Sequence, residues 1–261
     1  MSGVAVVTGA ARGIGAATVD RLVADGWRVV AVDVCADSPA LGYPLSTPAD
    51  LSALAERHGA AVVPIEADVR DRSAMAVAVA TATDRFGRLD AAVAVAGVIA
   101  GGTPLWELRD EQWSALFDVN VGGVRNLVSA AVPALLARPE PRQGRLVAVS
   151  SAAGLLGLRR LAGYSASKHA VIGLMKALAA DLAGTGVTAN SVCPGSTRTA
   201  LLDESARLYD LGSAEEFASQ QLLERLLSPD EPAALIAWLC TEASSAITGA
   251  ALPADAGLTT S

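Results

Sequence analysis

A tyrosine and a lysine stand four residues apart, as Tyr164 and Lys168, in an alanine-rich stretch of helical composition. Residues at positions i and i+4 lie on one face of a helix, so the phenol and the ammonium point in the same direction. A free tyrosine, with a pKa of about 10, is a poor base at neutral pH, and a nearby positive charge lowers that pKa. The pair therefore predicts general acid–base chemistry, with the lysine favouring the phenolate.

A serine completes this candidate catalytic set. Ser151 follows a predicted strand, where its hydroxyl is placed to donate a hydrogen bond to a substrate oxygen. Taken singly, Ser151 reads as a polar strand end and Tyr164 as a buried helix aromatic. The chain has only two lysines, Lys168 and Lys176, and three tyrosines. The four-residue spacing between two such rare residue types therefore favours the catalytic interpretation.

A glycine-rich turn follows the first predicted strand. Residues 8–15 read Thr-Gly-Ala-Ala-Arg-Gly-Ile-Gly, and a helical run begins at Gly13. Glycines let the backbone approach a pyrophosphate closely, and the helix N-terminus supplies free N–H groups and a positive dipole end. A glycine-rich turn alone is weak evidence, but the order strand, turn, helix predicts a dinucleotide site.

An acidic residue ends the second predicted strand. Asp33 lies 18 positions beyond Gly15, close to the spacing of roughly 20 residues at which an acid bonds the adenosine ribose. A carboxylate there repels a 2′-phosphate and favours NAD over NADP, although Arg12 in the turn could accept that phosphate. Asp33 occupies the position that the adenosine ribose must face, so we expect the cofactor to be NAD rather than NADP. Beyond the third strand, Asp68-Val69 could contact the adenine, or Asp68 could cap the next helix.

The elements that must position these residues alternate along the chain. The predicted strands are apolar almost throughout, as parallel strands covered on both faces are. They are Val4–Thr8, Arg28–Val32, Ala61–Glu66, Ala91–Val95, Arg145–Val149, Thr188–Cys193 and a short one near Ala250–Pro253. The predicted helices are Gly13–Asp25, Pro48–His58, Ser73–Phe86, Asp110–Leu136, Tyr164–Ala183 and Asp230–Leu239. The alternation predicts a single α/β domain, a doubly wound Rossmann fold with about seven parallel strands and helices on both faces.

Two segments interrupt this alternation. Residues 35–47 contain two prolines and a glycine, so we expect a loop beyond strand two. The following Thr47-Pro48-Ala49-Asp50 has the cap hydroxyl, first-turn proline and carboxylate of a helix start. Residues 199–228 follow the sixth strand and are rich in leucine. We expect them to form a mobile lid over an apolar substrate pocket.

Composition limits the classes of protein that this chain can represent. Of its 261 residues 52% are hydrophobic and 18% charged, and the net charge is −7. High hydrophobicity argues against disorder, and an acidic chain lacks the electrostatic footprint for nucleic acid or anionic lipid. No apolar run approaches the roughly 18 residues of a membrane span, and no signal peptide is evident, so we expect a cytoplasmic protein. His58, Cys35 and Cys193 show no ligand spacing, so no metal site is expected.

These residues resemble the short-chain dehydrogenase/reductase family over essentially the whole chain. The motifs that carry the resemblance are Thr8-Gly-x-x-x-Gly-Ile-Gly15, Asp68-Val69, Asn120, Ser151, Tyr164-x-x-x-Lys168 and Pro194-Gly195. The resemblance implies that Tyr164 is the general acid/base and that Ser151 orients the substrate oxygen. It implies that Lys168 binds the nicotinamide ribose, and that Asn120 holds a water linking Lys168 to solvent.

The same resemblance implies an NAD site and an assembly. The residues implied to hold the cofactor are Gly9, Arg12, Gly13, Ile14, Gly15, Asp33, Asp68, Val69, Ala96, Gly97, Tyr164, Lys168, Pro194, Gly195, Thr197 and Thr199. The family usually has Asn-Ala-Gly after strand four, whereas this chain has Val95-Ala96-Gly97, which implies the loss of a hydrogen bond in the central sheet. Family members are commonly homotetramers built through the two long helices.

A narrower resemblance concerns residues 35–47. Their length and surroundings are similar to the insertion of the mycofactocin-associated dehydrogenases. That resemblance implies NAD held too tightly to exchange freely, with electrons leaving through mycofactocin, a peptide-derived redox carrier. We expect the loop to lie over the adenosine end of the cofactor; the alternative is an inert surface insertion.

Three functions follow from these expectations. The first is oxidation of a small hydrophobic secondary alcohol, such as a terpenoid or steroid, with retained NAD. The second is a freely exchanging NADPH-dependent reductase of ketone or acyl-carrier substrates, against which Asp33 and the insertion argue. The third is a non-catalytic NAD sensor, against which the complete set of Ser151, Tyr164 and Lys168 argues.

Overall fold

The computed structural model describes residues 3–260, and within them seven strands form one parallel sheet in the order β3-β2-β1-β4-β5-β6-β7. The strands are β1 Val4–Thr8, β2 Arg28–Asp33, β3 Val62–Glu66, β4 Ala91–Ala94, β5 Arg145–Val149, β6 Thr188–Pro194 and β7 Ala251–Ala254. Thr8 lies opposite Val32 and Ala94, so the carboxyl ends of three central strands meet at one edge. The strand order reverses between β1 and β4, which opens the crevice where doubly wound folds bind ligands.

Helices cover both faces of this sheet, as the alternation predicts. They are α1 Gly13–Ala24, α2 Pro48–His58, α3 Arg72–Phe86, α4 Asp110–Phe117, α5 Gly123–Leu136, α6 Ala162–Asp181, α7 Ala200–Leu208 and α8 Asp230–Leu239. One core layer lies between the sheet and α1, α2 and α8, and the other between the sheet and α3, α5 and α6. The predicted doubly wound α/β architecture is therefore confirmed, with element ends shifted by at most a few residues.

Burial explains why the central strands read as continuous apolar runs. Every residue of β1 and β5 is buried, because helices cover them on both sides. In contrast, β3 stands at the edge of the sheet, and its side chains alternate between more and less exposed. Each fully buried valine or leucine contributes about 1.5–3 kcal/mol, so the sheet is a firm platform for the side chains at its carboxyl edge.

The predicted helix Asp110–Leu136 has an irregular centre. A π-helical turn, Asp118–Gly122, joins α4 to α5. Such turns insert one residue into the helical repeat and often occur at functional sites. Taken as one helix, Asp110–Leu136 is long and apolar enough to cross a membrane by length and composition alone, a property that helices inside soluble domains share.

The start of α2 agrees with the sequence. The Thr47 side chain accepts a hydrogen bond from the Asp50 N–H, while the Asp50 carboxylate accepts one from the Thr47 N–H at 2.8 Å. This reciprocal capping box, with Pro48 in the first turn, confirms the predicted helix start. It also fixes the C-terminal end of residues 35–47.

Candidate active site

The glycine-rich turn has the shape of an anion cradle. Gly9 has a φ of +65°, and a Cβ on it would lie 2.6 Å from the Ala96 nitrogen. A Cβ on Gly15 would lie 1.8 Å from the Gly9 carbonyl oxygen, so no larger residue fits. Arg12 precedes α1 without a side-chain cap, which leaves the first N–H groups of the helix open to a ligand. This geometry suits a pyrophosphate.

Asp33 is buried beside this turn and is already bonded to the protein. Its carboxylate accepts hydrogen bonds from the Ala11 N–H at 2.9 Å and the Val34 N–H at 2.8 Å. It also accepts one from the hydroxyl of Ser46. The side chain lines the central cavity, as a ribose-binding acid must. Its role in binding the ribose remains a prediction, and its bond to Ser46 adds a structural role that the sequence did not indicate.

Asp68 and Val69 line the same cavity beyond β3. Burial opposes ionisation of Asp68, but hydrogen bonds from Arg70 outweigh it and lower the pKa of the carboxyl. Asp68 does not cap α3; that alternative was wrong, because Asp71 accepts the hydrogen bonds from the N–H groups of Ser73 and Ala74. Asp68 instead pairs with Arg70, and its side chain forms part of the cavity wall.

Tyr164, Ser151 and Lys168 meet at the carboxyl edge of the sheet and all line the cavity. Ser151 follows β5, whereas Tyr164 and Lys168 lie in the first two turns of α6. The Lys168 Nζ lies 5.8 Å from the centroid of the Tyr164 ring and donates a hydrogen bond to the Val149 carbonyl at 3.0 Å. The structure therefore brings together the three residues that the sequence singled out.

Burial dominates the acid–base properties of this group. It raises the pKa of Tyr164 to about 12, against a smaller lowering by a hydrogen bond with Ser151. It also lowers the pKa of Lys168 to about 8. The expected lowering of the Tyr164 pKa by Lys168, together with the positive ring of an oxidised nicotinamide, remains a prediction.

Asn120 lies in the π-helical turn and is almost fully buried. Its side chain accepts a hydrogen bond from the Val98 N–H at 2.8 Å and donates to the Val98 carbonyl at 3.0 Å. It also donates to the Ser167 hydroxyl at 3.0 Å. Asn120 therefore fixes the segment after β4 to the helix that carries Lys168; its predicted water-holding role remains a prediction.

The segment Val95-Ala96-Gly97 passes between the turn and the catalytic residues. The Ala96 N–H donates to the Thr8 hydroxyl at 3.4 Å, a contact that joins the segment after β4 to the end of β1. A Cβ on Gly97 would lie 3.2 Å from the Lys168 Nζ and 3.3 Å from the Asn120 Oδ1. A glycine at this position therefore leaves room for both polar side chains.

The residues after β6 form the opposite wall. Gly195 packs closely on Asp255 and Gln221, and the Thr197 hydroxyl donates to the Gly195 carbonyl at 3.0 Å. Thr199 caps α7 by accepting a hydrogen bond from the Leu202 N–H. Pro194, Gly195, Thr197 and Thr199 all line the cavity, as do the predicted residues of the glycine-rich turn.

The cavity between these walls has a volume of about 1030 Å³. Pockets for single drug-sized ligands measure about 300–1,000 Å³, so this space is large for one small molecule. It runs from the glycine-rich turn past Tyr164 to apolar side chains of α7. Its dimensions suit a dinucleotide and a second, apolar molecule together. Within residues 3–260, no group of three or more His, Cys, Asp or Glu side chains is placed to hold a metal ion.

Comparison with known proteins decides the family. A family model described as enoyl-(acyl carrier protein) reductase matches residues 9–259, nearly the whole chain. The chain belongs to the short-chain dehydrogenase/reductase family. Its members catalyse oxidation–reduction, and this chain is an oxidoreductase of that kind.

Several relatives are similar over nearly their full length. A (-)-trans-carveol dehydrogenase of Rhodococcus erythropolis is 37% identical, with 98% of this chain and 97% of the relative covered. A 3-oxoacyl-[acyl-carrier-protein] reductase of Synechocystis is 34% identical, with 98% and 96% covered. Among solved structures, carveol dehydrogenase from Mycobacterium avium in complex with NAD has a TM-score of 0.93 at 33% identity, covering 99% of this chain and 98% of that one.

Residues 35–47 take a longer path in this dehydrogenase than the sequence predicted. They begin two residues after Asp33, as expected, and also extend towards Tyr164. The Pro44 carbonyl accepts a hydrogen bond from the Arg12 guanidinium at 3.1 Å. The Tyr43 hydroxyl accepts one from the Ile99 N–H at 3.0 Å, beside the cluster that contains Tyr164. The segment therefore contacts both Asp33 and the cluster that contains Tyr164.

Residues 199–228 also pack over the cleft. They comprise α7 and a 3₁₀ segment, Ala214–Gln220. At the end of α7, the Tyr209 hydroxyl donates to the Arg159 carbonyl at 2.7 Å. The predicted mobility of the lid remains a prediction.

Sequence reasoning missed several residues of this site. In the insertion, Tyr43 bonds to Ile99 and Ser46 bonds to Asp33. On α6, Ser167 accepts a hydrogen bond from Asn120. One signal could have indicated Tyr43, because it is one of only three tyrosines in the chain. The others carry no local pattern, since their contacts are set by long-range packing.

Proposed function

We propose that this protein is an NAD-dependent dehydrogenase that oxidises a hydrophobic secondary alcohol, retains its NAD between turnovers, and passes the electrons to mycofactocin. The observation that carries the proposal is the path of residues 35–47. Hydrogen bonds join this segment to Asp33, to Arg12 and to Ile99, on both sides of the cleft. A cofactor beneath it could leave only after these contacts break.

The cleft fits NAD. The close approach at Gly9 and Gly15 and the uncapped start of α1 suit the pyrophosphate. The buried carboxylate of Asp33 suits ribose hydroxyls and disfavours a 2′-phosphate. The guanidinium of Arg12 donates to the Pro44 carbonyl, so it serves the insertion, which weakens the case for NADP. The NAD-bound neighbour of 33% identity adds support.

The chemistry follows from the placement of the three catalytic side chains. When bound, NAD supplies the hydride acceptor and a positively charged ring. The Tyr164 oxygen takes the proton of the alcohol hydroxyl, and the Ser151 hydroxyl orients the same substrate oxygen. Lys168 holds its ammonium near the Tyr164 ring by donating to the Val149 carbonyl, and would bind the nicotinamide ribose. The ammonium and the ring together offset the burial that raises the pKa of Tyr164.

The substrate end of the cavity is apolar. Leu201, Leu202, Tyr209 and Phe217 of the lid line it. Such a pocket favours a hydrophobic alcohol. The carveol dehydrogenase of 37% identity supports an alcohol of the terpenoid kind.

Retained NAD must be reoxidised in place, which is why the proposal includes an external electron acceptor. The test begins with protein purified without added cofactor. Mass spectrometry of the denatured sample should detect about one NAD per chain. A hydrophobic secondary alcohol should then give one turnover per site, and continuous turnover only when a redox dye or mycofactocin is added.

Free exchange of the cofactor would contradict the proposal. If the protein is purified without NAD and turns over continuously with free NAD or NADPH alone, it is a freely exchanging ketone or 3-oxoacyl reductase. The relative of 34% identity in Synechocystis supports that second candidate. A matched variant with residues 36–45 replaced by a tight turn should show this exchanging behaviour even if the wild type does not.

We further propose that the enzyme is a cytoplasmic homotetramer. The outward face of α6 carries small residues at Ala166, Ala170, Gly173 and Ala177, and a Cβ on Gly173 would meet nothing within 4 Å. Such a face allows close helix approach between subunits. Light scattering of the purified protein tests this assembly, and a monomer would contradict it.

A further inference from the structure

The insertion carries two leucines that face the catalytic end of the cavity rather than the cofactor-binding turn. Leu41 and Leu45 both line the cavity. Both pack against a cluster that contains Tyr164, Ile99 and Leu161. We propose that Leu41 and Leu45 form part of the substrate pocket and determine the size of alcohol that the enzyme accepts. The inference rests on the proposed dehydrogenase activity and adds a specificity role to the segment proposed to retain NAD.

Tyr43 fixes these leucines in place. It lies between them in the chain, its ring packs against the same cluster, and its hydroxyl accepts the hydrogen bond from the Ile99 N–H. The Val98 backbone next to Ile99 is itself held by Asn120. The insertion therefore meets a rigid part of the active site, and Leu41 and Leu45 have limited freedom to move aside for a larger substrate.

The lid provides the facing wall. Leu201 and Tyr209 line the cavity and pack against the same cluster as the insertion leucines. The two segments also meet directly, because a Cβ on Gly42 would lie 3.1 Å from a guanidinium nitrogen of Arg207 on α7. A substrate next to Tyr164 is thus enclosed by α7 on one side and by the insertion on the other.

A pocket bounded by leucine side chains discriminates by volume. One methylene more or less in a hydrophobic pocket changes selectivity by about 10–200-fold. Leu→Ala removes three carbon atoms and should admit a bulkier ring, whereas Leu→Trp should exclude it. The contacts that join the insertion to Asp33 and Arg12 involve Ser46 and Pro44, so these substitutions leave the proposed retention of NAD unchanged.

The experiment uses NAD-loaded protein and a series of cyclic secondary alcohols, from cyclopentanol to bicyclic alcohols. All variants are made in the Tyr164→Phe background, in which turnover is blocked and NAD stays bound. Binding is measured by isothermal titration calorimetry, and retained NAD is measured by mass spectrometry. For Leu45→Ala and Leu41→Ala, we expect the affinity ratio of bicyclic alcohol to cyclopentanol to rise at least tenfold. For Leu45→Trp we expect the ratio to fall by a similar factor. Leu45→Met, which conserves volume, and Pro39→Ala, on the exposed part of the insertion, are the matched controls.

The outcomes separate the two proposals. An unchanged affinity ratio in all three size-changing variants, with NAD still bound, would overturn the specificity role and leave the proposed function intact. A shifted ratio in a protein whose electrons do not pass to mycofactocin would support the specificity role and overturn the finer part of the proposed function. Loss of NAD from the leucine variants with no change in ratio would also overturn the inference, because the leucines would then only cover the cofactor.

Discussion

The hydroxyl of Ser46 donates a hydrogen bond to the carboxylate of Asp33. The acid expected to bind the adenosine ribose therefore also anchors the C-terminal end of the insertion. Both residues are buried, and the same carboxylate accepts a hydrogen bond from the Ala11 N–H of the glycine-rich turn. One side chain thus joins the cofactor site, the turn and the covering segment.

Ser46→Ala should speed the release of NAD. The substitution removes one hydrogen bond to a charged group, worth about 1.5–3 kcal/mol. A loss of this size corresponds to roughly a tenfold to hundredfold faster off-rate. Dialysis followed by mass spectrometry for residual NAD measures the effect, with Ser38→Ala in the same segment as the control. Equal rates in the wild type and Ser46→Ala would show that the anchor does not govern release.

Asp33→Ala should weaken NAD binding by at least tenfold and reduce the discrimination against NADP. The substitution removes the carboxylate that bonds ribose hydroxyls and repels a 2′-phosphate. It also releases Ser46, so the effect on retention should exceed that of Ser46→Ala. Titration of refolded, cofactor-free protein with both dinucleotides provides the measurement. An unchanged NAD-to-NADP ratio would remove Asp33 from the role of ribose-binding acid.

Tyr164→Phe should abolish turnover and leave NAD bound. Only the oxygen that exchanges the proton is lost, and the ring keeps its place in the buried cluster. General acid–base catalysis is typically worth about 10²–10⁴-fold, so kcat should fall by at least that range. Stopped-flow absorbance of the bound cofactor measures the single turnover. Activity within about threefold of the wild type would contradict the role of Tyr164.

Asn120→Leu should destabilise the fold and slow catalysis. The variant leaves both polar groups of the Val98 backbone without their buried partner. We expect a loss of about 2–4 kcal/mol in the free energy of unfolding, measured in urea. Asn126→Leu is the matched control, because Asn126 is also a buried asparagine bonded to backbone carbonyls, at Val69 and Arg70. If both variants lose stability but keep kcat, Asn120 is only structural.

Lys168 should make stability depend on pH in the alkaline range. Burial lowers the pKa of Lys168 in the folded state to about 8, whereas an unfolded lysine has a pKa of about 10.4. Between these values the unfolded chain holds more protons, so raising the pH stabilises the folded state. For refolded, cofactor-free protein, the stability of the wild type relative to Lys168→Met should therefore rise by on the order of 2 kcal/mol from pH 8 to 10. A difference that is constant with pH would show that Lys168 titrates normally.

The sequence was sufficient for the parts of the molecule that follow local rules. The buried strands β1 and β5 read as apolar runs because both faces are covered. Tyr164 and Lys168 could be paired because helical geometry places positions i and i+4 together. The start of α2 was readable because the residues of its capping box are neighbours in the chain.

The remaining features depend on contacts between distant parts of the chain. The route of the insertion is set by Tyr43 meeting Ile99, 56 positions away, and no local pattern encodes that meeting. The π-helical turn at Asn120 leaves no mark in the composition of the surrounding helix. The pKa of Tyr164 is raised by burial, which depends on the packing of the whole cluster.

All three tyrosines of the chain, Tyr43, Tyr164 and Tyr209, belong to or pack against the one cluster at the catalytic end of the cavity. A spectroscopic label on tyrosine therefore places one probe in the insertion, one in α6 and one in the lid. Fluorotyrosine incorporated during expression would give three ¹⁹F resonances, and single Tyr→Phe variants at positions 43 and 209 would assign them. Opening of the insertion and opening of the lid could then be timed separately in the intact enzyme, without introducing a foreign group.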